Sequence, residues 1–91
     1  MITRFSRRPG VETQVLDSTS VIAVRDQHLY FAVNRVGTRI WWLLAEPRTV
    51  DELVATLARE FAIDEATCRQ EAESFLQQLA EKKLVDRLVS A

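Results

Sequence analysis

Two residues in this 91-residue sequence could carry nucleophilic or metal-binding chemistry of the reactive kind, the single histidine, His28, and the single cysteine, Cys68. One histidine excludes a histidine-rich metal site, and a zinc ion would have to take its other ligands from carboxylates. One cysteine excludes an internal disulfide and a cysteine metal cluster. A Ser-His-Asp or Cys-His arrangement could be drawn with one histidine, but no local motif surrounds His28 or Cys68 to support it. Gly10 and Gly37 stand alone, so no glycine-rich phosphate loop is present. His28 reads as a turn or strand residue after a hairpin, and Cys68 as a small residue on the apolar stripe of a helix. The sequence therefore predicts no catalytic residue, no metal and no cofactor, and points to a binding protein.

The totals narrow what could be bound. Apolar residues make up 47% and charged residues 27%, with only two glycines and two prolines, an ordinary folded composition. A chain this short is one domain with a modest core and little material for a catalytic pocket. The formal net charge of -1 gives no general attraction to nucleic acid or anionic membranes. The longest apolar run, Ile40 to Ala45, is too short to cross a bilayer. Arg4, Arg7 and Arg8 are not followed by an apolar stretch of signal-peptide type, so a cytoplasmic location is expected.

The elements that must position a binding surface divide into a strand-like front third and a helical remainder. Residues 1–10 read as a flexible basic arm and 11–89 as the folded domain. A weak first strand over 11–17 leads to the turn cluster Asp17 to Ser20. Val21 to Arg25 read as a second strand, Asp26-Gln27 as the hairpin connection, and His28 to Val33 as a third strand. On that strand Leu29, Phe31 and Val33 share one face and His28, Tyr30 and Ala32 the other. Asn34 is a helix N-cap, followed by Val36, Ile40, Leu43 and Leu44 at helical spacing. Gly37 permits close approach of a neighbouring backbone. Pro47 ends that helix. Thr49 to Glu52 is a capping box before the stripe Val50, Leu53, Val54, Leu57 and Phe61. Asp64 caps a third helix with the stripe Cys68, Ala72, Phe75, Leu76 and Leu79, and Lys82 and Lys83 are placed in its last turn. Leu84 to Val89 are read as a short strand or irregular tail over the core. The expected fold is α+β: a three-stranded antiparallel sheet followed by three helices, winged helix-turn-helix-like.

Residues 29–41, Leu-Tyr-Phe-Ala-Val-Asn-Arg-Val-Gly-Thr-Arg-Ile-Trp, residues 48–53, Arg-Thr-Val-Asp-Glu-Leu, and the pattern Phe75, Leu76, Leu79, Leu84-Val85 together resemble the PqqD-like family. The resemblance spans most of residues 15–85. It implies a compact winged-helix-like domain without chemistry of its own, which binds the leader segment of a ribosomal precursor peptide. The leader is paired as an added strand to the third strand and leans on the third helix. It is then presented to a separate maturation enzyme: a leader protease, a cyclase or a radical enzyme. Stand-alone members of the family occur in quinone and lasso-peptide pathways, and Ala32-Val33-Asn34 departs from the quinone type.

The residues support that expectation on their own terms. The third strand carries no proline, lysine or bulge signal, so its edge is a template for an incoming peptide strand. The expected peptide-binding residues are Leu29, Tyr30, Phe31, Ala32 and Val33 on the strand. On the third helix they are Cys68, Arg69, Ala72, Glu73 and Leu76. The small Cys68 and Ala72 would leave room for the groove, Phe31 would be its floor and Tyr30 its rim, and Arg69 or Glu73 would meet a leader side chain of opposite sign. Trp41 is expected in the core. Trp42, on the polar side, is expected as a partly covered rim residue or as an anchor for the partner enzyme. A DNA-binding winged helix is the rival reading, but the third helix carries Asp64, Glu65, Glu71, Glu73 and Glu81 against Arg69 alone, which repels phosphate. A structural or regulatory subunit of an enzyme complex has the same composition and is compatible with the leading reading.

Overall fold

The computed structural model describes residues 1–9, 12–16, 19–24 and 29–90, and for 12–16, 19–24 and 29–32 it describes the backbone. The element order is β1 (Ile2–Arg7), β2 (Glu12–Leu16), β3 (Thr19–Val24), β4 (Leu29–Val33), α1 (Arg35–Leu43), α2 (Val50–Phe61), α3 (Glu65–Glu81) and β5 (Val85–Ser90). Of the expected turn cluster Asp17 to Ser20, Thr19 and Ser20 instead open β3, while Asp17, Ser18, the expected connection Asp26-Gln27 and His28 lie outside the described residues. Among the described residues no helix is long and apolar enough to cross a membrane.

The expectation of a single three-stranded sheet followed by helices is corrected by a two-stranded antiparallel sheet built from the two ends of the chain. Residues 2–7, read as part of a flexible arm, are β1, and it pairs with β5 from Ile2 opposite Ser90 to Arg7 opposite Val85. The two-stranded sheet is separate from the ladder β2-β3-β4. Its other side is fastened to the segment between α1 and α2. The Phe5 N–H donates to the Arg48 carbonyl at 2.7 Å, the Arg48 N–H donates back at 3.0 Å, and the Arg7 N–H reaches the Leu44 carbonyl at 2.9 Å. Phe5 is the residue of β1 that enters the core. The pairing joins the extreme ends of the chain, so no local pattern announces it, and the arginines of β1 hide its strand alternation.

Each helix starts where the sequence places its cap. Asn34 Oδ1 accepts from the Gly37 N–H at 2.8 Å. Thr49 and Glu52 close the reciprocal capping box. Asp64 accepts from the Thr67 N–H and hydroxyl. These N–H groups would otherwise lack partners. The bonds from Thr49 hold the Glu52 carboxyl below its usual range, and those from Thr67 do the same for Asp64. At the far end of α1, Arg48 Nε donates to the Leu43 carbonyl at 3.2 Å.

Lys82 and Lys83 lie beyond α3 rather than in its last turn, because the chain reverses there. Lys83 has φ 60, and the Lys83 and Leu84 N–H groups donate back to the Ala80 and Leu79 carbonyls. This is the hydrogen-bond pattern of a Schellman cap, with the buried Leu84 closing over Leu79. A lysine in the left-handed region carries a steric cost that glycine does not. Lys83→Gly is therefore expected to raise stability by about 1 kcal/mol, read as a higher denaturant midpoint with an unchanged slope.

The core gathers Trp41, Ile40 and Leu44 of the first helical segment, Leu53, Val54 and Leu57 of α2, and Cys68, Ala72, Leu76 and Leu79 of α3. Phe5, Val33, Leu84 and Val85 seal it from the strand side. Gly37 allows α1 to start hard against β4. A Cβ there would stand 3.3 Å from the Val33 Cβ and 3.4 Å from the Phe75 ring.

Candidate functional site

Two of the helices border an open groove at the edge of the core. Along α3, Cys68, Ala72, Leu76 and Leu79 point inward, while Gln70, Glu71, Ser74, Phe75 and Gln78 line an open groove of about 500 Å³. The facing wall is Val36, Gly37 and Ile40 of α1, and Val33 and Asn34 at the end of β4 close it. The groove follows α3 over eight residues, a rise of ~12 Å. Its apolar floor is Val33, Ile40 and the half-buried Phe75, and its walls offer side-chain amides and a hydroxyl.

The strand beside it is paired by a described strand on one side. β3 pairs with one edge of β4, from Ser20 opposite Val33 to Val24 opposite Leu29. In the order β2-β3-β4 no described strand lies on the other edge of β4. Backbone groups on such an edge need a partner or water.

Of the residues singled out from sequence, Val33 lines the groove. Leu29, Tyr30, Phe31 and Ala32 form β4, but their side chains lie outside the described residues, so Phe31 as floor and Tyr30 as rim do too. Cys68 and Ala72 are fully enclosed and Leu76 nearly so, packed in the core rather than at the groove. The small side chains at 68 and 72 serve close packing of α3. The Cys68 Sγ lies 4.0 Å from the Val54 carbonyl, and burial, with a further push from Glu71, raises its thiol above the ordinary range. A thiol held protonated this way is inert. Arg69 is engaged within the chain, its Nη2 2.7 Å from Asp51 Oδ1 on α2. Glu73 is exposed and does not line the groove.

The residues that sequence reasoning passed over, Gln70, Glu71, Ser74 and Gln78, are polar and sit beside the apolar stripe of α3. The i, i+4, i+8 spacing of Gln70, Ser74 and Gln78 was the available signal, since it puts three neutral hydrogen-bonding side chains in one row.

Trp41 is buried, and Trp42 is 47% exposed. Arg7 of β1 covers both rings, its guanidinium carbon 5.4 Å from the Trp41 centroid and 5.8 Å from that of Trp42. The outward residues of α3, including Glu65, Glu71, Glu73 and Glu81, are exposed and acidic, the wrong sign for a phosphate backbone.

The family described as Coenzyme PQQ synthesis protein D (PqqD) matches residues 15–85. The chain belongs to the PqqD family. The matched span of this PqqD-family chain runs from the end of β2 to the start of β5, so it takes in β4, the groove and all three helices, while β1 lies outside it. The fold is also similar to a solved structure described as TbiB1 in complex with the TbiA(beta) leader peptide. The TM-score is 0.77 and the identity 30%, over 89% of this chain and 94% of that one. No curated protein matches the sequence.

Proposed function

We propose that this PqqD-family protein binds the leader segment of a ribosomal precursor peptide by strand addition to the free edge of β4, with the leader's side chains entering the groove between α1 and α3. It is a non-catalytic recognition element and acts with a separate maturation enzyme, to which it presents the precursor. A leader protease, a cyclase or a radical enzyme is the receiving partner, and the cytoplasm, where precursors are made, is the place of action. The observation that carries the strand-addition reading is the continuity of the β4 edge on which no described strand lies with an open groove. Main-chain hydrogen bonds along β4 supply affinity that depends little on sequence, and the groove supplies specificity. The similarity to TbiB1, itself captured with a leader peptide, supports the same partner class.

The direct test is titration of the isotope-labelled protein with a synthetic leader of the precursor encoded beside it. Amide shifts are expected in Leu29–Asn34 and along Gln70–Gln78. Saturable binding whose shifts fall on β1 and β5 instead would overturn strand addition at β4.

A further inference from the structure

Charge is sparse along the groove. Among the described residues that line it, the side chains are apolar or neutral except for Glu71. Two arginines of the flanking helices are engaged within the chain: Arg39 of α1 holds Glu60 through contacts of 2.7 to 3.1 Å, and Arg69 of α3 holds Asp51. No cation among the described residues does the same for Glu71. Its negative field also reaches through the helix, since it is the largest charge acting on the buried Cys68 thiol.

Spacing gives that charge a register. Glu71 and Phe75 are one helical step of four residues apart, ~6 Å along α3. Alternate residues of an extended peptide, which share one face, repeat every ~6.8 Å. A strand running along α3 with an apolar side chain over Val33, Ile40 and Phe75 therefore brings the residue two positions away to Glu71.

We propose that Glu71 is the specificity determinant of the groove, selecting leader segments that carry a lysine or arginine two positions from the apolar side chain seated against Phe75. This rests on the reading that the groove takes an extended peptide. Glu71 lies at the groove's solvent side, so its effect on a matching peptide is modest, about two- to fivefold in affinity, and is weakened by salt. Its effect on choice is larger, because an acidic residue at the same position meets repulsion.

The test is a selection of randomised dodecapeptides displayed on messenger RNA, run against the wild-type protein and against Glu71→Lys and Glu71→Gln. Glu71 is exposed on a helix, and melting curves establish that the variants are folded. The wild type is expected to enrich lysine or arginine two positions from an apolar residue. Glu71→Lys should replace that preference with aspartate or glutamate, and Glu71→Gln should abolish it while still selecting the apolar residue. Identical residue preferences for all three proteins, in peptides that shift the β4 amides, would overturn the role of Glu71 and leave strand addition standing. Selected peptides that leave the β4 amides unmoved would overturn the strand-addition reading and this inference together.

Discussion

Replacing Trp41 with alanine is expected to cost about 3–5 kcal/mol, a large part of the stability of a domain this size. The residue is fully enclosed, and the core around it is drawn from α1, α2, α3 and the two strands of the end-to-end sheet. Its removal leaves a cavity that fixed helices cannot collapse, and it takes away the ring over which Arg7 lies. The adjacent Trp42 should behave differently. Nearly half of it is already in water, so Trp42→Ala is expected to cost about 1 kcal/mol or less. Denaturant unfolding of the two variants side by side checks the contrast. Equal losses would mean that the stacked arginine, which spans both rings, matters more than burial. The comparison also bears on Trp42 as an anchor for the partner enzyme. A Trp42→Ala protein of nearly full stability that still binds leader but no longer supports maturation would assign the exposed ring to enzyme docking.

Local chemistry made much of this architecture readable. The caps at Asn34, Thr49 and Asp64 are signals in which one side chain satisfies a specific backbone group, and all three fall where the sequence put them. Helical periodicity separated Trp41 from Trp42, because neighbours on a helix point about 100° apart. What local pattern could not supply was pairing between distant segments. β1 finds β5 across the whole length of the chain, and Phe5 is the sole deeply buried residue of β1. The groove was blurred for a related reason. Small residues at 68 and 72 suggest space beside the strand, yet a small side chain on an apolar stripe equally lets two helices approach, and in the fold both are enclosed, Cys68 against Val54. Distinguishing the two requires knowing which neighbour the stripe faces. Charge has the same ambiguity: Arg69, expected to meet a leader side chain, is held by Asp51 in the fold, whereas Glu71 is the charged side chain among the described residues that line the groove.

That distinction sets up the largest binding effect to be expected, which comes from Ser74→Trp. Ser74 is exposed on α3 and its side chain lines the groove midway between Gln70 and Gln78. A tryptophan there can be accommodated without displacing the side chains through which α3 packs inward, Cys68, Ala72, Leu76 and Leu79, so stability should change by no more than about 0.5 kcal/mol. The indole would occupy the space above Phe75 and between α3 and α1, where the proposed strand addition sends a leader side chain. Leader affinity should fall about thirtyfold or more, the scale of losing one anchor contact of ~2 kcal/mol. Gln77→Trp is the matched control. It places the same ring on the same helix at an exposed position that does not line the groove, and its affinity should be unchanged. Ala72→Trp makes the complementary point, because a large ring forced into a fully enclosed position should unfold the domain before any binding can be measured. Calorimetry with the synthetic leader, paired with melting curves, separates the three. Were Ser74→Trp to bind as tightly as the wild type while remaining folded, the leader could not be using this groove. Strand addition along β4 would then have to proceed with the peptide's side chains turned away from α3.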